Sequence, residues 1–200
     1  MLHFDFTTDY ILEDDFVRLR PLQIDDVSHL LDIANEPGIW KYSFVKGDGE
    51  ENLRTYIQST IHNRKAKKEY PFIVYDKIKK QYAGSTRYCE IAPELSAIRL
   101  GYTWYGKAFR GTGLNKHCKY LLFQFAFETM GAERIGMAAY IENTISITAM
   151  KSVGCKEEGV LRGIFPALDG DGRTDALLLS ILKDEWLTEE KIKLQSKLRK

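Results

Sequence analysis

The stretch from Ala97 to Asn115, AIRLGYTWYGKAFRGTGLN, decides how the rest of this chain is read. Ala97 to Tyr105 has the composition of a strand, and a strongly apolar helical run follows from Lys116 to Met130. Between them stands Arg110-Gly111-Thr112-Gly113-Leu114-Asn115. Glycines at such a junction let backbone N–H groups face outward with no Cβ in the way. The helix that follows adds its unpaired N-terminal donors and the positive end of its dipole. The combination reads as a site for a phosphate-bearing ligand. A nucleotide P-loop is excluded, because no lysine directly follows the second glycine. A dinucleotide fingerprint needs a third glycine early in a βαβ unit, whereas this loop follows an antiparallel meander. Taken alone, the glycine pair is equally a plain tight turn.

The flanking elements are mixed. Phe16 to Leu22 alternates like a strand, and Asp25-Asp26 opens a helix that carries Val27, Leu30, Leu31 and Ala34 and stops at Pro37-Gly38. A second helix is expected from Gly49 to Lys68. Pro71 to Tyr75 and Tyr82 to Ile91 form a hairpin across the polar Asp76 to Gln81, and Ala97 to Tyr105 is its third strand. Arg134 to Tyr140 is a strand, and Asn143 to Val153 a short helix closed by Gly154. Lys156 to Phe165 and Asp175 to Leu182 pair across Asp169-Gly170-Asp171-Gly172, ahead of a charged helical tail. No repeat, linker or low-complexity segment interrupts this order.

Composition narrows the class. Two hundred residues suffice for one sizeable core, so a single domain over 1–200 is expected, with its core at about 16–186 and a tail at 187–200. A formal net charge of +1 gives no overall attraction to nucleic acid. Cys89, Cys118 and Cys155 are too scattered for a disulfide framework or a zinc site, and read as reduced thiols of a cytoplasmic protein. The start carries Asp5 and Asp9 and no apolar core, so it does not read as a signal peptide. No apolar run reaches the roughly 20 residues that cross a bilayer. His3, His29, His62 and His117 show no metal-ligand spacing, so no metal is expected. His117 and Cys118, adjacent on a helix, should face surface and core respectively. Lys191 to Lys200 holds five basic residues and no acid, which fits a solvated helix end.

Three features fall in one order: Gly101-Tyr102-Thr103-Trp104-Tyr105, the loop Arg110 to Asn115, and Asn143-Thr144-Ile145-Ser146 with Ala149 and Gly154. This arrangement resembles the GNAT superfamily of acetyl-CoA-dependent N-acetyltransferases, in particular its RimJ/RimL-type branch. The likeness extends from Phe16 to about Trp186. It implies a mixed α/β (α+β) fold. The sheet would be largely antiparallel and seven-stranded, with one splayed parallel pair and helices on both faces.

The resemblance also implies roles. Arg110, Gly111, Thr112, Gly113, Leu114, Asn115 and Lys116 would hold the pyrophosphate of coenzyme A, with Asn115 where many relatives have a small residue. Lys119 is a further residue able to reach phosphates, or else a plain solvated lysine. Tyr102, Thr103 and Trp104 would offer strand backbone to the pantetheine arm, with a β-bulge near Gly101 or Tyr102 opening the slot. An N–H there would polarise the thioester carbonyl. Ser146 would be the proton donor to the departing thiolate, and Asn143 would bind the cofactor arm or order a water. The same two residues also read as a first-turn residue and a helix N-cap. Arg99 stands where relatives often carry a glutamate, so no base is assigned. Glu90, Glu142, Tyr88 and Tyr140 are its weak candidates. The acceptor would enter between the first two helices and the last hairpin, which nominates Trp40, Tyr42, Phe44, Phe165 and Asp169 to Arg173, the aromatics serving equally well as packing residues. The co-substrate is acetyl-CoA and the partner a protein N-terminus or an amine-bearing small molecule such as an antibiotic or polyamine. Monomers and homodimers both occur among relatives. A CoA-binding module without transferase activity, and a nucleotide or nucleic-acid binder using the glycine loop, are the competing classes.

Overall fold

The computed structural model describes residues 2–198. The last two positions of the basic tail therefore lie outside the described residues. Eight strands form one sheet in the order β1-β2-β3-β4-β5-β6-β8-β7. They are β1 (Leu12–Glu13), β2 (Val17–Pro21), β3 (Tyr70–Asp76), β4 (Gln81–Ala92), β5 (Ala97–Tyr105), β6 (Arg134–Tyr140), β7 (Lys156–Pro166) and β8 (Arg173–Leu182). The expectation of seven strands is corrected by β1, which pairs Leu12 with Leu19 and Glu13 with Arg18. Two residues are too short to leave an alternating pattern. Neighbours are antiparallel throughout except β5 and β6.

Helices α1 (Val27–Ala34) and α2 (Glu50–Lys65) lie on one face, and α3 (Leu114–Gln124) lies on the other. Adjacent residues of β4 prove this, because successive side chains of a strand point to opposite faces. The guanidinium of Arg87 sits over the Tyr56 ring of α2, while the Tyr88 hydroxyl donates to the Leu122 carbonyl of α3 at 2.6 Å. Past α3 a wide π turn, Phe125–Thr129, continues the helix, and α4 (Thr144–Ser152) follows β6. The chain ends with α5 (Lys183–Glu185), a second π turn (Trp186–Glu190) and α6 (Lys191–Ser196). Fully buried Trp186 docks this end on α3, against Tyr120 and Phe123, with its indole N–H on Glu128 Oε1 at 2.8 Å. Among the described residues no helix is long and apolar enough to cross a membrane.

Trp40 and Trp104 belong to this core. Both are buried, their rings lie 5.0 Å apart, and each also packs on Tyr56. The Trp40 indole N–H donates to the Ala34 carbonyl at 2.8 Å, and that of Trp104 reaches the Tyr56 hydroxyl at 3.2 Å. Trp40 is therefore no wall of an open pocket, and Trp104 has only its backbone to offer a ligand. The pair locks the loop after α1 to α2 and β5. His117 also departs from expectation: like Cys118 it is buried, because Asp14 Oδ2 meets its Nδ1 at 2.6 Å and Phe16 packs at a tilt against its ring. Trp104→Ala is expected to lower the unfolding free energy in urea by about 3–5 kcal/mol. A loss below roughly 0.5 kcal/mol, the size of a typical surface change, would contradict this core role.

Candidate active site

The two parallel strands meet only briefly. Ala97, Ile98 and Arg99 of β5 pair with Arg134, Ile135 and Gly136 of β6, and then the strands part. Beyond that point β6 is held by β8 and β5 by β4. A slot opens between them, edged by strand backbone with no strand opposite.

The β4 side explains how β5 turns away. Ser85 pairs with Trp104 and Arg87 with Gly101, so Thr86 alone faces both Tyr102 and Thr103. This is the expected bulge. Tyr102 takes a φ of 49°, a left-handed conformation that costs a non-glycine residue about 1–3 kcal/mol. Contacts on both faces of the sheet hold it there. On the α2 face, Arg87 Cζ lies 3.6 Å from the Tyr102 ring centroid, and Arg87 Nη1 donates to Glu69 Oε2 at 2.8 Å. On the α3 face, Thr103 Oγ1 lies 2.7 Å from Thr86 Oγ1 and accepts from Lys119 Nζ at 3.0 Å.

The glycine loop follows directly. Gly111 and Gly113 adopt φ of 73° and 91°, which no β-carbon-bearing residue takes easily. Gly113 is the residue from which α3 starts, ahead of the expected Lys116, and buried Leu114 anchors that start. Thr112 Oγ1 donates to the Phe109 carbonyl at 2.8 Å, and Arg110 Nε to the Tyr105 carbonyl at 2.8 Å. The Arg110 side chain thus braces the loop against the end of β5. Among the described residues, the amides of Gly111, Thr112, Gly113 and Asn115 donate to no protein acceptor. Four free donors beside a helix N-terminus suit a diphosphate. The open strand edge lies next to them, at the other end of the same loop. Half-buried Lys116 stands in the first turn.

At the far side of the slot, Asn143 caps α4 and accepts the Ser146 amide at 3.1 Å. The capping role is therefore established in the geometry. Half-buried Ser146 has no partner for its hydroxyl among the described residues. Tyr42 and Phe165, two of the nominated wall residues, both pack on Tyr140. Tyr42 lies 5.8 Å from Tyr140, Phe165 lies 4.9 Å from Tyr140, and Phe44 packs on Phe165 at 4.8 Å. The Tyr42 hydroxyl donates to the Glu142 carbonyl at 3.3 Å, beside the start of α4. This cluster joins the loop after α1 to the last hairpin.

The base candidates fare poorly. Glu90 accepts Arg99 Nη1 on both carboxylate oxygens, and Glu142 Oε1 accepts from Thr174. Burial pushes the Tyr88 phenol well above its ordinary pKa. Burial and the Glu142 charge raise that of Tyr140. Both tyrosines thereby hold their protons more tightly than free phenols do.

Lys119 is the residue that sequence reasoning misplaced. It is not solvated: it is 4% exposed and donates to Thr103 Oγ1 beneath the bulge. The signal was its position three, four and seven residues before Leu122, Phe123 and Ala126, on the apolar stripe of the helix. Burial pulls its ammonium down to about 8. Arg87 and Glu69 left no comparable trace, since their pairing joins residues distant in the chain.

The split strand pair beside a glycine-lined helix start accompanies a family match that makes this chain an acyltransferase. The Acetyltransferase (GNAT) domain family matches residues 17–156, and the chain belongs to that family. Members of the family use acetyl-CoA as co-substrate. Similar solved structures include a T. thermophilus protein assigned as an acetyltransferase, 28% identical with a TM-score of 0.85, covering 100% of each chain. A GCN5-related N-acetyltransferase from Brucella melitensis is 21% identical with a TM-score of 0.86, covering 98% of this chain and 88% of its own. A ribosomal-protein-S5-alanine acetyltransferase from Vibrio fischeri is 18% identical with a TM-score of 0.72, covering 89% and 99%. The last two share the fold. No curated protein matches this chain.

The buried lysine makes stability depend on pH. An unfolded lysine titrates near 10.4, so between about pH 8 and 10.4 the unfolded chain binds the extra proton. The cost of burying the charge is fully present below about pH 8 and is relieved as pH rises through that window. Lys119→Met removes this dependence. Its unfolding free energy is expected to exceed that of the wild type at pH 7, with the gap closing toward pH 10. Taking the difference between the two proteins cancels the buried thiols, whose pKa values of about 12 act in the opposite sense. A difference that stays flat from pH 7 to 10 would contradict the reading.

Proposed function

We propose that this chain, a cytoplasmic enzyme of the RimJ/RimL-type branch, transfers the acetyl group of acetyl-CoA to a protein α-amine by direct attack in a ternary complex. The observation that carries the reading is the set of four free amides at Gly111, Thr112, Gly113 and Asn115, adjoining a strand edge without a partner. In this reading Arg110 to Lys116 hold the pyrophosphate and the backbone of Tyr102, Thr103 and Trp104 aligns the pantetheine arm. An amide of the bulge polarises the thioester carbonyl.

When bound, the thioester supplies an activated acyl group. A C–N bond forms and the C–S bond breaks, the amine releases its proton to solvent, and the sulfur takes one from Ser146, whose hydroxyl is restored by a proton from solvent. Asn143 fixes the start of α4 and so the position of Ser146. An α-amine, with an ordinary pKa near 7.7–8.0, is partly neutral at physiological pH, whereas a lysine near 10.4 is not. With Glu90 and Glu142 already engaged, an amine that needs little help from a base is favoured. The fold shared with a ribosomal-protein-S5-alanine acetyltransferase supports a protein acceptor. In this reading Tyr42, Phe44 and Phe165 flank that acceptor.

Thiol release across a panel of peptide N-termini, polyamines and aminoglycosides is the test, with peptides expected to turn over best. Preference for a small amine would overturn the acceptor assignment. Acetyl-CoA binding without turnover anywhere would mark a silent binding module instead. Gly113→Asp, which sets a carboxylate against the pyrophosphate, is expected to raise the Kd for acetyl-CoA by about a hundredfold or more. Unchanged affinity in calorimetry would show that the loop does not hold the phosphates.

A further inference from the structure

Two buried cations meet the β5 bulge from opposite faces of the sheet, and their surroundings differ. Arg87 has the Glu69 carboxylate at 2.8 Å. Lys119 has no carboxylate within salt-bridge distance among the described residues; its hydrogen-bond partner is Thr103 Oγ1. The neighbouring thiols of Cys118 and Cys155 are buried and hold their protons. A methionine or leucine would continue the stripe of Leu122, Phe123 and Ala126 at this position without burying a charge. An uncompensated buried ammonium is destabilising. A fixed cation beside the place where negative charge develops would recover that cost in the transition state.

We propose that Lys119 is a positioning residue for acyl transfer. It fixes the bulge through Thr103 and keeps positive potential beneath the strand at which the thioester oxygen gains charge. The proposal rests on the reading of β5 as the strand that carries the thioester. Lys119 exchanges no proton in the reaction and touches none of the reacting atoms. Its effect passes through the Thr103–Thr86 hydroxyl pair and through the field of its ammonium, charged below about pH 8, in a water-poor region where such fields are strong.

The full chain with acetyl-CoA carrying a 13C-labelled carbonyl tests this without an acceptor. The carbonyl stretch of the bound thioester is expected below its solution frequency in the wild type and back toward that frequency in Lys119→Met. Affinity for acetyl-CoA should stay within about threefold, and the melting temperature at pH 7 should rise. A residue of merely structural value would lower the melting temperature and leave the band of the bound thioester in place. Thr103→Val, which cuts the link and keeps the ammonium, should reproduce part of the band shift. The double variant should show less than the sum of the two. With any accepted amine, kcat of Lys119→Met should fall about tenfold or more at little change in KM. An unchanged band in both single variants overturns the proposal. So does a large loss of affinity with the band unchanged, which would make Lys119 a phosphate ligand. Failure of the wild type to bind acetyl-CoA would instead remove the cofactor reading on which the proposal stands.

Discussion

Everything distinctive in this molecule depends on the parting of β5 from β6 after Arg99 and Gly136. Backbone N–H and C=O groups must find partners, and a break in the middle of a sheet leaves a row of them without any. The break is tolerated because each half is secured elsewhere. β6 pairs with β8 along its whole length, from Arg134 to Tyr140, and β5 stays on β4 through its irregular register. Past Gly136 and Arg99 the facing edges of the parted strands have no strand opposite them. The glycine loop lies at the end of the same strand, so the anion site and the slot are oriented together.

The bulge is where local strain and tertiary support meet. Tyr102 would not hold a left-handed conformation in isolation. It does so between a guanidinium stacked on its ring and a threonine pair on the other face. The supports reach far along the chain: Glu69 comes from just before β3, and Lys119 from the second turn of α3. The carbonyl-polarising geometry proposed for β5 is therefore a property of three elements at once. Stability spent on a bent strand and an unpaired buried ammonium is the kind of local cost that functional sites carry.

What the sequence reveals follows from how far each interaction reaches. The strand Ala97 to Tyr105, the glycine loop and the Asn143 cap were legible because each is decided within a few residues, by alternation, by φ > 0 or by a side chain bonding its own backbone. The parallel pair was legible only through likeness to a family, since nothing in Arg134 to Tyr140 names its neighbour. The errors share one origin. Trp40 looks like a wall aromatic until packing sets its ring 5.0 Å from that of Trp104. Lys119 looks like surface charge until the helix is turned toward the sheet. His117 likewise gives no hint of Asp14, far earlier in the chain. In each case the sequence names the residue but not the partner.

The two rims of the sheet are unequal. One ends in the two residues of β1, too short to template anything; the other is β7, Lys156 to Pro166, with one side free of any strand. A long open rim with exposed Val160, Leu161 and Ile164 invites a foreign strand to add itself. Interruptions of register around Gly159 and between Leu161 and Phe165, with Pro166 at the end, break the flat ladder such a strand would need. Lys156, Glu157, Glu158 and Arg162 add charge along it. The kinks that make this hairpin irregular thus also disfavour strand addition between copies at this rim.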